Sequence, residues 1–184
     1  MSDVRIATRL YVTNPLGAGG TLGLDHQRAH YLRSVLRLGR GDRVAVFNER
    51  DGEWAATIEG LGKGWASLAL TDQRRAPAPE PDVELVFAPI KRARLDYLVE
   101  KATELGAARL RPIFTQHTDV RRVNTERLAA NAREAAEQCE RLTVPEVVEP
   151  VGFDALLRAW PTERRILLCA ESGRAPPVAE VLAE

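Results

Sequence analysis

The stretch 83-VELVFAPIKRARLDYLVEKATELGAARLRPIFT-115 decides the architecture. Its opening residues, 83–90, are a nearly continuous apolar run, the pattern of a strand buried on both faces. In 93-ARLDYLVEKATEL-105, Leu95, Leu98, Val99, Ala102 and Leu105 recur on one helical face, and Gly106 follows as a stop. A second strand follows in 109-RLRPIFT-115. The alternation continues downstream. Residues 125 to 142 predict a helix capped by Asn124 or Thr125, 146-EVV-148 a short strand, 153-FDALLRAW-160 a helix, 165-RILLCA-170 a strand, and 178-VAEVLAE-184 the start of another helix. Strands alternating with helices in this order predict a parallel sheet covered by helices.

Upstream the texture changes. The segment 73-QRRAPAPEPD-82 holds three prolines and no apolar anchor, so it reads as a stiff, extended linker. Before it, 9-RLYV-12, 43-RVAVFN-48, 53-EWAATIE-59 and 65-WASLAL-70 read as strands, with Asp51-Gly52 as a turn. Short strands at close spacing predict a small barrel. One helix, 25-DHQRAHYLRSVLR-37, interrupts them, with Asp25 as N-cap and Gly39 and Gly41 past its end. The boundaries are therefore 1–73 for the barrel, 74–82 for the linker and 83–184 for the α/β domain.

Composition excludes several classes. The chain has 184 residues, 45% of them hydrophobic, and its charges cancel, so any basic site must be local. The two cysteines, Cys139 and Cys169, lie far apart, which fits a reduced, cytoplasmic protein and not a disulfide framework or zinc site. His26, His30 and His117 show no metal-ligand spacing, so no metal is expected. Asp3, Arg5 and Arg9 argue against a signal peptide. No apolar run approaches the ~20 residues of a membrane span.

Three places invite chemistry. His26, His30, Arg33 and Arg37 form one stripe of the N-terminal helix, with Arg28 and Arg40 nearby; it is either a solvated face or a contact for a phosphate backbone. Glu171, Ser172 and Gly173 follow a predicted parallel strand, where open sheets place ligands, although such loops also merely turn the chain. In the helix that runs into 132-AREAAEQCERLTVPEV-147, Leu128, Ala132, Ala135, Cys139 and Leu142 make a buried stripe, bordered by Asn131, Glu134, Gln138 and Arg141. Small alanines allow a close neighbour, so that polar row is either a wet face or the rim of a pocket or subunit interface.

The motifs 98-LVEKATELGAARLRPIFTQHTDV-120 and 134-EAAEQCERLTVPEV-147, preceded by 30-HYLRSVLRLGRGDRVAVFNERDGEW-54, resemble the RsmE-type family of ribosomal RNA methyltransferases through nearly the whole chain. The resemblance implies an N-terminal PUA-like β-barrel and an α/β SPOUT methyltransferase domain with a C-terminal trefoil knot. It also implies a homodimer, S-adenosyl-L-methionine as cofactor, and methylation of N3 of a uridine in 16S rRNA, free or in the small ribosomal subunit. Arg9, His30, Arg33 and Arg37 would contact RNA phosphate, as would Lys91 and Lys101 near the active region. Glu104, Gln138 and Arg141 would serve catalysis, and Glu171, Ser172 and Gly173 would approach the cofactor.

The family's G-P-E-G-G-like and L-G-x-R-I-L-R-x-E-T-A-like segments are not found, so the knot-forming part is missing and these 184 residues alone are expected to be inactive. Two alternatives remain open: a non-catalytic RNA-binding fragment, or a SPOUT methyltransferase acting on a different RNA.

Uridine N3 carries a proton and is a poor nucleophile until it leaves, so the enzyme must align N3 with the methyl group and assist deprotonation. Glu104, Glu171 and His117 are all candidates for that base, and Arg141 could stabilise the developing anion.

Overall fold

The computed structural model describes residues 5–170, 173 and 175–183. In chain order they form β1 (Arg9–Tyr11), β2 (Thr21–Leu24), α1 (His26–His30), a π-helical turn (Tyr31–Val35), β3 (Arg43–Asn48), β4 (Gly52–Leu61) and β5 (Ala66–Arg75). The second half comprises β6 (Glu84–Phe87), α2 (Arg92–Glu104), β7 (Arg109–Phe114), α3 (Thr125–Gln138), β8 (Glu146–Val147), β9 (Val151–Gly152), α4 (Phe153–Ala159) and α5 (Val178–Val181).

The first half is a five-stranded sheet in the order β1-β3-β4-β5-β2, antiparallel except for the β1–β3 pair. It curls around Leu10, Leu22, Leu32, Val44, Ile58 and Leu68, all buried. Ala29 and Leu32 seal it from the helical side. Strand β3 is buried on both faces. Val44 and Val46 point into the barrel, whereas Phe47 packs outward on Ala136 and Leu142. Burying such a phenylalanine contributes about 2–3 kcal/mol and joins the barrel to α3.

The second half is a parallel sheet with β7 at its centre. Strand β6 lies on one side, and β8 and β9 pair in succession along the other. Leu95 and Val99 of α2 and Leu128 and Ala132 of α3 cover it. Asn124 caps α3, its side chain accepting from the Arg127 N–H at 2.9 Å. Gly106 ends α2 at a φ of +95°, as its position in the sequence implies.

Several expectations need correction. Strand β2 is formed by a Gly-containing stretch too weakly patterned to read. Strands β4 and β5 form a longer hairpin, and β5 takes Arg74 and Arg75 from the expected linker. The run 83–90 gives a strand only over Glu84–Phe87, and its burial is partial because β6 is an edge of the described sheet. Residues 165–170 form no strand: Ile166 and Leu168 stand 53% and 77% exposed, and no described strand pairs with them. The helix expected at 25–37 is split into α1 and the π turn, and it stops before Arg37, whose φ is +58°. Likewise α3 ends at Gln138, because Glu140 has a φ of +62°.

Candidate active cleft and RNA-facing surface

Helices α2 and α3 meet through small residues, Ala102 and Ala132 among them, and this leaves a cleft between their polar borders. Asp96, Glu100 and Glu104 of α2 recur at every fourth position, and face Asn131, Glu134 and Gln138 of α3. The cleft holds about 400 Å³. The structure thus brings Glu104 and Gln138 to one cleft. Asp96 is already engaged by Arg127 and by the Asn131 amide at 3.0 Å. The Lys101 ammonium donates to Glu104 at 2.8 Å and to Glu100 at 2.9 Å. Those two bonds hold its pKa above the ordinary lysine range. Lys101 is thus committed to helix-surface ion pairs, not presented free to a phosphate.

Of the four carboxylates in the cleft, Asp96, Glu100 and Glu104 are already paired with Arg127 and Lys101, and Glu134 has no ion pair among the described residues. The lining contributes a single apolar residue, Ala135, and no aromatic face. An adenine ring therefore finds no slot there, and the residues of this cleft do not by themselves form a complete site for S-adenosylmethionine. Of the residues expected near that cofactor, Glu171 and Ser172 lie outside the described residues. Gly173 is exposed, with a φ of +115°.

Two arginines are corrected outright. Arg141 is not on the stripe of α3, because the left-handed Glu140 turns the chain first. Its side chain, 9% exposed, donates to the carbonyls of Thr103 (2.7 Å) and Ala107 (3.0 Å), and pairs with Glu80 of the linker. It therefore caps the C-terminal end of α2, and its guanidinium is engaged there rather than in the cleft. Arg9 is 10% exposed and pairs with Glu53 at 2.7 Å. It also donates to the carbonyls of Ala136, Glu137 and Arg141 at 2.9–3.0 Å. Its donors are occupied at the end of α3, so it is not available to RNA phosphate. Sequence periodicity gave no sign of either role, since both partners are distant in the chain.

The basic stripe of the barrel survives in part. His26 and His30 stack with ring centroids 6.5 Å apart and planes 4° from parallel. They line a small hollow with Arg33, Ser34 and the hairpin residues Gly62, Lys63 and Gly64. Lys63 was missed; only the long β4–β5 hairpin brings it across to α1. Arg37, beyond the helix end, is not part of the hollow. Lys91 stands exposed at the start of α2.

A third feature lies between barrel and sheet domain. The Glu137 carboxylate accepts the Tyr11 N–H at 2.9 Å. Burial raises its pKa above the ordinary glutamate value, while that hydrogen bond, Arg28 and Arg133 oppose the shift. Among the described residues no group of three metal-ligating side chains comes together, and no helix is long and apolar enough to cross a membrane.

Comparison with known proteins places both halves. Residues 77–183 match the RNA methyltransferase domain family, and residues 24–68 match the RNA methyltransferase PUA domain family. The ribosomal RNA small subunit methyltransferase E of Rickettsia conorii is 35% identical over 152 residues, 82% of this chain and 62% of the relative. That of Synechocystis is 33% identical over 179 residues, 95% of this chain and 58% of the relative. The crystal structure of the Neisseria gonorrhoeae enzyme of the same name, bound to S-adenosyl methionine, superposes with a TM-score of 0.76 at 25% identity, over 85% of this chain and 66% of that one. The chain thus spans 62% and 58% of the two sequence relatives. A PUA-type barrel followed by a parallel-sheet methyltransferase domain, matched in order and in sequence, establishes that the chain belongs to the RNA methyltransferase domain family.

Proposed function

We propose that the protein methylates ribosomal RNA of the small subunit with S-adenosylmethionine as methyl donor, at N3 of a uridine in 16S rRNA. The supporting observation is the domain order: an RNA methyltransferase PUA domain over residues 24–68 leads directly into an RNA methyltransferase domain over residues 77–183. The donor is carried over from the Neisseria relative, whose structure contains it. The sulfonium supplies an activated methyl group, so the protein's share is to hold and orient the base and to help its N3 proton leave.

In this reading the cleft bordered by Glu104 and Gln138 belongs to the active region, and His30 and Arg33 hold RNA on the barrel. Glu104 is one carboxylate acceptor for a proton within the cleft, once Lys101 releases it, and Glu134 is another. A homodimer would close the open side of that cleft.

The intact protein, incubated with S-adenosylmethionine carrying a labelled methyl group and with small subunits from cells lacking the protein, is expected to label 16S rRNA. Nuclease digestion is expected to yield 3-methyluridine, and primer extension to stop at the labelled site. Label in another base would remove the N3 assignment alone. No label in any RNA would remove the methyltransferase reading.

A further inference from the structure

The turn between β4 and β5 is Gly62-Lys63-Gly64-Trp65, closed by the Gly62 N–H donating to the Trp65 carbonyl at 2.9 Å. The Trp65 ring spans two glycines of its own hairpin. A Cβ on Gly60 would fall 2.7 Å from the benzo edge, and one on Gly62 would fall 2.2 Å from the pyrrole nitrogen. The two glycines therefore seat the indole against bare backbone, yet Trp65 remains 56% exposed. A tryptophan fixed from beneath and open above is a stacking platform whose orientation is set before anything binds.

The same turn forms the hollow with α1. A Cβ on Gly64 would come 3.1 Å from the His26 ring, so turn and helix abut closely. The hollow holds about 240 Å³ and is lined by His26, His30, Arg33, Ser34 and Lys63 together with Gly62 and Gly64. Unlike the cleft between α2 and α3, its lining contains no carboxylate. Arginine, lysine, imidazole and hydroxyl donors around a space of that size suit one phosphate group.

We propose that this hairpin is a nucleotide clamp for single-stranded RNA, with one phosphodiester in the His26–His30–Arg33–Lys63 hollow and an adjacent unpaired base stacked on Trp65. The pair of features fits RNA better than an acidic peptide, because each nucleotide couples a phosphodiester to a flat base, the two chemistries that the hollow and the indole offer. It selects unpaired over duplex RNA, because paired bases do not expose a π-face. The inference rests on the reading that the barrel handles RNA, and it assigns His26, Lys63 and Trp65 to that task.

Fluorescence anisotropy of labelled oligouridine with the intact protein, over a salt series and beside a duplex of equal length, tests it. Trp65→Ala is expected to weaken single-strand binding about tenfold at every salt concentration, with Trp65→Phe retaining most of the affinity. Lys63→Ala, at an exposed turn position that does not threaten folding, is expected to reduce the salt slope by about 0.7. Wild-type affinity and slope in both Trp65→Ala and Lys63→Ala overturn the clamp, as does equal weakening of duplex binding. If methyl transfer by the wild-type protein fails while these binding effects appear, the clamp stands and the methyltransferase reading falls. If methyl transfer occurs and binding ignores both substitutions, only the clamp falls.

Discussion

Arg9 and Glu53 form an ion pair at 2.7 Å, with side chains only 10% and 4% exposed. The same guanidinium caps the C-terminal end of α3 through three carbonyls. One residue of the barrel therefore terminates a helix of the methyltransferase domain, where the helix dipole favours a cation. Arg9→Ala is expected to destabilise the protein by about 3 kcal/mol, since it strands buried carbonyls and part of a buried carboxylate. Arg74, 3.0 Å from Glu53, softens the loss. Urea unfolding followed separately by Trp54 in the barrel and by far-ultraviolet dichroism should then give two transitions in place of one. A lysine at this position is expected to rescue little, because it lacks the planar fork.

Arg141 performs the same service for α2, and Glu80 is its linker partner. Arg141→Ala is expected to lower stability by about 2–3 kcal/mol. Any loss of methylation by this variant should follow the loss of folded protein. Turnover per folded molecule, measured below the melting transition, is expected to stay near that of the wild type. A large loss of turnover in fully folded protein would return Arg141 to the chemistry.

Glu137 gives a pH dependence with a definite sign. Its folded pKa is raised, so the folded state binds more protons than the unfolded chain between the two values. Its contribution is fully present below the ordinary value of 4.5 and is lost as pH rises through the folded value. Glu137→Gln keeps an oxygen for the Tyr11 N–H without a charge. It is expected to be more stable than the wild type at pH 7 and to match it at pH 4. Melting curves at the two pH values check it.

Gly52 closes the β3–β4 turn at a φ of +76°, and a Cβ there would lie 2.2 Å from the Arg75 carbonyl oxygen. Gly52→Ala is expected to cost about 3 kcal/mol. Gly19, with a similar φ of +72° but open space around it, is the control. Gly19→Ala is expected to cost about 1 kcal/mol, the backbone penalty alone. Equal losses at both positions would show that crowding at Arg75 contributes nothing.

The sequence revealed the strand–helix–strand core because its apolar spacing is local: α2, β7, and the Leu128, Ala132 and Ala135 face of α3 all lie where periodicity predicts. The polar stripes failed at their last members for one shared reason. Arg37 and Arg141 were each placed by counting along a helix, and in both cases the helix ends first, near a left-handed residue other than glycine. The third-position and fourth-position rules have no force beyond such a residue. Arg9 failed differently: its carbonyl partners lie more than 120 positions away, and an exposed-looking strand start gives no sign of them. Lys63 and Trp65 were illegible because their importance depends on a hairpin longer than alternation alone indicated.

The proline-rich connection between the halves is tied down near its downstream end. Glu80 is held by Arg141, and Asp82 by Arg164 at 2.6 Å. With Arg9 and Phe47 fastening the same two halves, the molecule behaves as a ruler and not as a pair of hinged jaws. A strand of RNA gripped on the outer hairpin would reach the acidic cleft only after a set number of nucleotides, so the choice of target base would depend on counting from the grip as well as on the base itself.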